Sequence, residues 1–352
     1  MTKYTLIVLT ALYLLSSCKS NRDSVAPSQQ SKHQDLGITF LDSTAAAQQI
    51  ITDRVDGFFA ALSVTEISIQ MKSADRYDSR EAAVAAYKNM LQTEVYTYTA
   101  EEEAVLTETM TEAKRILDKI NPKLWPKNID LIKTRTNHYG PDVYYTREDA
   151  IIIPDNVFAQ QRTADMLLPV MLHEIYHLLS RQHKSFRDKT FALIDFFPHG
   201  KNIVMSPILG SRRLTNPDGV TTDYAISLTD ADGKEQLSLP FLISNQPYFS
   251  ASIPSFFSYL GFDLYALDVI DDRTLRISSD PTGKTTLSSS AQADYFVHIA
   301  DNTQYVIHPE EVMADNFMLG VMAYDSEDYS DFSPQGKKLI DELLTILKAT
   351  TF

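Results

Sequence analysis

Cysteine is almost absent from the sequence: among 352 residues it occurs once, at position 18. A single cysteine cannot form a disulfide within the chain, so a packed core must stabilise the folded state. The 44% hydrophobic share can supply that core. Basic residues are also outnumbered, with 32 Lys and Arg against 46 Asp and Glu, a net charge of -14 and a pI near 5.0. An acidic surface repels phosphate backbones and argues against a nucleic-acid partner.

The first residues carry a targeting pattern. Lys3 precedes an apolar run at positions 4–15, which has the length of a signal-peptide core and is too short to span a membrane. The run ends in Leu15-Ser16-Ser17-Cys18, which resembles the lipobox of bacterial lipoproteins. The resemblance implies a signal peptide at 1–17, cleaved before Cys18, and acylation of that cysteine. An ordinary signal peptide with a chance cysteine is the alternative.

Residues 18–38 are rich in Ser, Gln, Lys and Asp, and we predict a flexible tether between the lipid and the folded protein. With Cys18 acylated, no thiol remains for a cysteine nucleophile or a thiolate zinc site. The anchor implies attachment to a membrane of the bacterial cell envelope. Lys19 stands where Asp signals inner-membrane retention in some bacteria. We therefore expect the outer membrane, with the protein facing the periplasm or the outside.

Hydrophobic periodicity predicts an α+β fold. We expect helices at positions 43–62, 80–97, 99–120, 163–182, 185–195, 309–323 and 334–349, and strands at 129–133, 150–154, 224–228, 236–243 and 274–278. One further helix is expected around 253–266. These elements divide the chain into an N-terminal helical region (39–125), a short sheet with a long helix (126–200), a β-rich segment (201–307) and two closing helices (308–352).

The pattern that carries chemistry is His173-Glu174-Ile175-Tyr176-His177, an H-E-x-x-H motif within the helix predicted at 163–182. Residues i and i+4 lie on one face of a helix, so both imidazoles can converge on one zinc ion. Glu174 then lies beside the ion and can accept the proton of a water that zinc has made acidic. The alternative is a pair of helical histidines with a surface glutamate and no metal.

Hydrolytic zinc sites use three protein ligands and keep one position open. The best third ligand is Glu311, which follows Pro309 and falls in the first turn of a predicted helix. Asp315 lies one turn later on the same face, where it can orient a ligating imidazole through its free ring N–H. Glu310 is the substitute ligand. The alternative without a metal is an acidic first turn favoured by the helix macrodipole.

H-E-x-x-H followed by a helical E-x-x-x-D resembles the gluzincin group of zinc peptidases, typified by thermolysin. The resemblance implies that His173, His177 and Glu311 bind zinc, that Glu174 is the general base and that Asp315 supports a ligand. It also implies a peptide or protein substrate.

The same resemblance implies a zincin-like core, a short sheet with its active-site helix, at 126–200. The runs at 177–196 and 308–317 further resemble a group of little-characterised bacterial HExxH proteins. The likeness covers mainly 127–200 and 295–325. However, 133 residues (178–310) lie between the second histidine and the predicted third ligand, far more than in thermolysin-like enzymes. The β-rich segment would then be an insertion or a lobe of the cleft.

A rival third ligand is His183, six positions after His177, as in the metzincin pattern HExxHxxGxxH. That pattern uses glycine to break the helix, whereas Ser180 stands at this position here. Met205 superficially resembles the methionine of a Met-turn. The other interpretation of His183 is a surface residue at a helix end, where its charge suits the macrodipole.

Two further features bear on catalysis. A developing oxyanion needs a hydrogen-bond donor. Tyr305, His308 and His298 are candidates, because gluzincins use a Tyr or a His. We assign Tyr305 to the catalytic set; the alternative is that Tyr305 packs in a strand. The strand at 150–153 is a candidate edge strand along which an extended peptide pairs, the alternative being an ordinary strand.

The sequence therefore predicts a zinc-dependent metallopeptidase that hydrolyses peptide bonds through a zinc-activated water. A second hypothesis is a non-catalytic zinc-binding lipoprotein that binds peptides or proteins on a peptidase scaffold. The intact Glu174 argues against it, because a site that only binds does not need a base. A third hypothesis is a scaffold without metal. The sequence leaves the oligomeric state open.

Overall fold

A computed structural model describes residues 31–33, 35–135 and 137–352. The predicted signal peptide and Cys18 lie outside the described residues, so lipid attachment stays a prediction. The helices are α1 (Ser43–Gln49), α2 (Phe58–Ala61), α3 (Val64–Gln70), α4 (Arg80–Thr93), α5 (Ala100–Ile120), α6 (Asn156–Ala159), α7 (Ala164–Gln182), α8 (Lys184–Phe191), α9 (Pro207–Arg212), α10 (Ser289–His298), α11 (Pro309–Ser326) and α12 (Pro334–Ala349).

The strands are β1 (Ser31–His33), β2 (Ile38–Phe40), β3 (Val95–Tyr96), β4 (Ile129–Thr134), β5 (Tyr145–Arg147), β6 (Ala150–Pro154), β7 (Phe197–Pro198), β8 (Asn202–Val204), β9 (Tyr224–Thr229), β10 (Glu235–Ser244), β11 (Leu260–Asp271) and β12 (Thr274–Ile277). Helices and sheets are both present, so the predicted α+β class is confirmed. None of the helices in the described ranges is both long and apolar enough to cross a bilayer.

The first sheet positions helix α7, which carries the H-E-x-x-H motif. Its strand order is β1-β2-β4-β6-β5, with β3 added to one end of β4. The inner strands β2, β4 and β6 are parallel, whereas β5 runs antiparallel to β6 at the edge. All five residues of β6 are buried, as expected for a β-branched run covered on both faces. Helices α5 and α7 share a continuous apolar core with this sheet.

Helix α7 is held by its apolar face. Leu172, Ile175 and Leu179 are almost completely buried in the core that α7 shares with α5 and α11. The helix passes through Pro169 without ending, although a proline at the sixth helical position removes the N–H that would bond the Asp165 carbonyl. The packing fixes the direction in which the two histidines of the motif point.

The second sheet has the order β7-β9-β10-β11-β12-β8. Neighbouring strands are antiparallel, except that β12 and β8 are parallel. The sheet comes from the segment predicted to be β-rich, but that segment also contains helices α9 and α10, which we did not predict. After β9–β12 the chain returns through α10 to α11, beside α7.

Several predicted boundaries are wrong. The helix predicted at 43–62 is two short helices, α1 and α2, because Gly57 adopts a φ of +70° and the Asp53 carboxylate accepts the N–H groups of Phe58 and Phe59 to start a new helix. Helix α3 was not predicted, and the helix predicted at 80–97 ends at Thr93.

The helix predicted around 253–266 is also wrong. The chain forms a short 3-10 helix at Phe256–Ser258 and then strand β11, which pairs on both sides. Short apolar runs do not distinguish a helix from a buried strand, and strand partners decided the outcome. The flexible tether predicted at 18–38 ends too late, because Ser31–His33 and Ile38 lie in strands β1 and β2. Strand β2 pairs with β4, so the predicted boundary between regions 39–125 and 126–200 falls within one sheet.

Candidate metal centre

Helix α7 brings His173 and His177 together on successive turns. Their ring centroids are 4.7 Å apart and the ring planes are nearly perpendicular. The His177 side chain is fully buried, whereas 13% of the His173 side chain is exposed. The spacing predicted from the sequence therefore produces a pair of imidazoles that faces one point from two directions.

Helix α11 brings the third donor. His308 occupies the N-cap, where its Nδ1 accepts the backbone N–H of Glu310, and Pro309 begins the helix. Glu311 consequently lies in the first turn, with its Oε2 3.2 Å from His173 Nε2 and 3.6 Å from His177 Nε2. Two ligands bonded at about 2.0–2.1 Å to a tetrahedral ion lie about 3.3 Å apart. The two distances from Glu311 therefore match the spacing of ligands around a tetrahedral ion, and donor atoms of all three residues lie within 4.8 Å of one another.

The remaining ring nitrogens of both histidines are held by carboxylates. Asp315 Oδ1 lies 2.9 Å from His173 Nδ1, and Glu310 Oε1 lies 3.2 Å from His177 Nδ1. Ser180 Oγ donates to Glu310 at 2.7 Å. These contacts favour the proton on Nδ1 and leave Nε2 available to a metal. Asp315 has the supporting position that we predicted, whereas Glu310 supports an imidazole and is wrong as the substitute ligand.

The charges of the cluster are strongly coupled. Burial lowers the pKa of His173, but its hydrogen bonds to Asp315 and Glu311 outweigh burial and the net pKa rises to about 9. Burial also opposes ionisation of Glu311, but the two imidazoles hold its pKa well below the usual range. Without a metal these groups form a proton-bound ion cluster. A divalent cation at their centre would displace the proton from the imidazole.

Glu174 lies beside the three donors and lines the neighbouring cleft. Its pKa is raised to about 8, first because it is buried and second because the Asp218 carboxylate lies nearby. Its Oε2 atom is buried and has no hydrogen-bond partner among the described residues. The same holds for His177 Nε2. Both atoms therefore face a position that a ligand or a water can fill.

Sequence reasoning missed two residues of the site, which come from the loop at 214–219. Asn216 Nδ2 donates to Glu311 Oε1 at 2.6 Å and so leaves Oε2 to face the imidazoles. Asp218 offers a carboxylate oxygen within 4.8 Å of donor atoms of Glu174 and His177. The only signal in the sequence was an Asn-Pro-Asp-Gly turn, which predicts a loop but not its destination.

The loop at 214–219 approaches α11 closely. A Cβ atom added to Gly219 would lie 2.3 Å from Nδ1 of His308, the N-cap of that helix. Only glycine allows this approach without displacement of the capping ring. At the other end of the loop, the backbone N–H of Thr215 donates to the buried carboxylate of Glu66 at 2.9 Å. Contacts at both ends therefore place Asn216 and Asp218 at the site.

A cleft of about 290 Å³ opens beside His173 and Glu174. Much of its wall is apolar or aromatic and comes from four different parts of the chain: Val143 and Tyr144 before β5, Pro169 and Val170 in α7, Phe257 in the 3-10 helix, and Tyr305 and Met318 around α11. More than half of Phe257 is exposed, although one edge of its ring contacts Phe256 at a centroid distance of 5.9 Å. The cleft has the size and chemistry of a binding site for a small part of a substrate.

The metzincin-like alternative is wrong. Helix α7 continues to Gln182, so His183 lies at its C-cap, and the His183 ring stacks on Phe352 with centroids 3.8 Å apart. It joins neither of the two donor clusters found among the described residues. Met205 packs in the core of the second sheet, so its sequence context does not make a Met-turn below the histidines.

Of the oxyanion candidates, only Tyr305 lies at the cleft. Its ring stacks on His173, with centroids 6.2 Å apart and planes 20° apart. His308 caps α11 and faces the Thr221 carbonyl. His298, the last residue of α10, pairs with Asp195 at 2.6 Å. Neither of these two histidines lines the cleft, and both make their contacts elsewhere.

The predicted edge strand is also wrong. Strand β6, which contains residues 150–153, lies between β4 and β5, and the edge strand is β5. Because β5 is short and lacks an apolar alternation, its pairing depends on β6 and could not be predicted from the sequence.

Comparisons of the chain with models of known protein families, with curated proteins and with solved structures found no match.

Proposed function

We propose that this protein is a zinc-dependent metallopeptidase of the gluzincin type, with a zincin-like core formed by the first sheet and α7. The observation that carries the proposal is the convergence of His173 Nε2, His177 Nε2 and Glu311 Oε2 at the spacing of a tetrahedral site. Two neutral imidazoles and one carboxylate suit zinc and leave one position open. The unpartnered nitrogen of His177 and the second carboxylate on each imidazole support this ligand set.

When bound, zinc would polarise the carbonyl of the scissile peptide bond and make a water more acidic. Glu174 accepts the proton of that water and returns it to the leaving nitrogen. Burial makes Glu174 a stronger base than an exposed carboxylate, consistent with a pKa of about 8. Asp315 and Glu310 keep the imidazoles oriented, and Asn216 keeps one oxygen of Glu311 toward them.

Tyr305 supplies the hydrogen-bond donor for the developing oxyanion in this proposal. This role is supported by the position of its ring, which lies over His173 at the rim of the cleft. The proposed setting is the bacterial cell envelope, with Cys18 as the lipid anchor and peptides or proteins as substrates.

Metal analysis of purified protein tests the proposal. We expect one zinc per chain in the wild type and in His183→Ala, and loss of zinc in Glu311→Ala. Removal of zinc by a chelator should abolish hydrolysis of a quenched-peptide library, and added zinc should restore it. Zinc retained in Glu311→Ala but lost in His183→Ala would contradict the ligand set. Zinc bound without hydrolysis of any peptide would favour the binding scaffold instead.

A further inference from the structure

The edge strand beside the proposed site is closed at one end. The backbone N–H of Thr146 in β5 donates to Asp218 Oδ1 at 2.7 Å, and the Thr146 carbonyl accepts from Arg181 Nη2 at 3.4 Å. Both backbone groups that this residue would offer to an added strand are therefore occupied by side chains. An extended peptide cannot pair with β5 at this position.

The closure extends further along the strand. Arg181 is held in place by Asp56, at 2.9 Å, and by the Pro217 carbonyl, at 3.3 Å. Beyond the strand, the carboxylate of Glu148, in the turn that follows β5, accepts the backbone N–H groups at positions 54 and 55, at 2.6 and 3.2 Å. The N-terminal region and the loop at 214–219 thus cover β5 from Thr146 onward. A substrate can extend only in the other direction, along Val143 and Tyr144, which line the cleft.

The cleft as a whole is acidic. The described residues that line the cleft include five carboxylates, Asp142, Glu174, Asp218, Glu311 and Asp315, and neither Lys nor Arg. Arg181 donates to Asp56, Thr146 and Pro217, and its Nη2 lies 3.9 Å from Asp218 Oδ1. Arg162 pairs with Asp142 at 2.7 Å, at the open end. A carboxylate at the closed end would meet like charge, whereas an ammonium group would be attracted.

The unsatisfied atoms at this end also indicate a ligand. Only 3% of Glu174 is exposed, and its Oε2 has no hydrogen-bond partner among the described residues. Asp218, with a side chain 7% exposed, offers an oxygen within 4.8 Å of a donor atom of Glu174. The α-amino nitrogen of a peptide is only about 2.5 Å from the carbonyl carbon of the same residue. An ammonium group bound by Asp218 therefore brings the first peptide bond of a chain to the donor cluster.

From this geometry we propose that the enzyme is an aminopeptidase, which removes the first residue from peptides with a free α-amino group, and that Asp218 binds that group. The inference rests on the proposed metallopeptidase function and specifies its substrate. The reaction is hydrolysis: water forms the new C–O bond, the first C–N peptide bond breaks, and the leaving amine takes a proton. The products are a free amino acid and the shortened peptide, and no further reactant is required.

Pairs of synthetic peptides test the inference in the zinc-loaded wild type. Each pair has the same sequence, begins with Leu or Phe to suit the apolar wall, and carries a C-terminal amide; one member has a free amino terminus and the other is N-acetylated. Hydrogen bonds to charged groups correspond to about a tenfold to hundredfold effect on binding. We expect the free peptides to be cleaved at least about tenfold faster in kcat/KM, with release of the first residue.

The variant Asp218→Asn removes the charge but keeps an oxygen that can accept the Thr146 N–H. We expect kcat/KM for the free peptides to fall about tenfold to a hundredfold, chiefly through KM, so that the preference for free over acetylated peptides is lost while the zinc content stays unchanged. Asp341→Asn, at an exposed carboxylate on α12, is the matched control and should keep the full preference.

Three other outcomes of the peptide experiment would each overturn the inference. Equal cleavage of free and acetylated peptides at internal bonds would identify an endopeptidase and leave the metallopeptidase proposal intact. Cleavage that requires a free carboxyl terminus, tested with the corresponding peptide acids, would identify a carboxypeptidase. Bound zinc without hydrolysis of either member would overturn both proposals together. If Asp218→Asn does not fold, the wild-type ratio alone decides between these outcomes.

Discussion

Helix α7 and the loop at 214–219 contact the same cluster of donors but reach it by different means. The helix supplies His173, Glu174 and His177 within little more than one turn, and ordinary helical geometry aligns them. The loop supplies Asn216 and Asp218, and contacts far away in the chain put it in place. Helical geometry places the proposed metal ligands and base on α7. Packing between distant parts of the chain places the loop residues that orient and enclose them.

The largest expected effect tests the helix. In Glu174→Gln the three metal donors remain, but the amide cannot accept a proton, so peptide hydrolysis should fall about a hundredfold to ten-thousandfold. Zinc content should stay unchanged. The measurement is turnover of a peptide substrate at matched zinc content, with the exposed Glu342→Gln as a control that keeps full activity. Equal activity of Glu174→Gln and the wild type would remove the general base from the proposal.

The next effect concerns the anchor of the loop. Burial raises the pKa of Glu66 to about 8, and the hydrogen bond from Thr215 only partly opposes this. The folded state therefore binds the Glu66 proton more tightly than the unfolded state does. The contribution of protonated Glu66 to the free energy of unfolding is full below about pH 4.5 and is lost as the pH rises toward 8.

A neutral glutamine lacks this titration. The free energy of unfolding of Glu66→Gln, relative to the wild type, should therefore rise by a few kcal/mol between pH 5 and pH 8. Urea denaturation at several pH values measures the difference, with the exposed Glu101→Gln as the control. A difference that does not change with pH would mean that Glu66 is already ionised in the folded state.

Asn216→Ala tests whether the loop supports the metal donors. Glu311 Oε1 would lose its 2.6 Å donor and the carboxylate could rotate away from the imidazoles. Loss of such a supporting contact typically lowers metal affinity about tenfold to a hundredfold. Competition with a chelator measures zinc affinity, and the exposed Asn128→Ala should match the wild type. Unchanged affinity in Asn216→Ala would limit the loop to enclosing the cleft.

The smallest effect tests the close approach of the loop to α11. In Gly219→Ala the new Cβ would lie 2.3 Å from the His308 ring, and because that ring caps α11 it cannot move freely. We expect the free energy of unfolding to fall by about 1–3 kcal/mol. Gly210→Ala is the control, since its Cβ would meet the nearest atom, of Met205, at 3.7 Å. Equal stability of the two variants would show that the capping ring can give way.

The long helices could be predicted from the sequence because they are locally determined. The prediction at 99–120 agrees with α5 to within one residue, and Thr99 and Glu102 form a capping box at its start. The closing helix predicted at 334–349 agrees with α12, which begins at Pro334 after the capping Ser333. Caps and helical periodicity are properties of neighbouring residues, so no knowledge of the fold was needed.

The shorter elements could not be predicted, because their partners lie far away in the chain. Strand β11 was expected to be partly helical, and its pairing with β10 and β12 made it a strand. The edge position of β5 instead of β6 follows from which strands join the sheet, not from the residues of either strand. The break between α1 and α2 depends on Asp53, which caps the second helix from outside it.

In the site, the sequence by itself determined the spacing of His173 and His177, with Glu174 between them, because all three lie on helix α7. It likewise determined the acidic first turn that contains Glu311, because that turn is a local feature of helix α11. Only the tertiary structure decided between Glu310 and Glu311, because adjacent residues point about 100° apart on a helix and the packing of α11 on α7 selects which one faces the imidazoles. It also brought in Asn216 and Asp218, since the position of a loop is set by the surfaces it contacts.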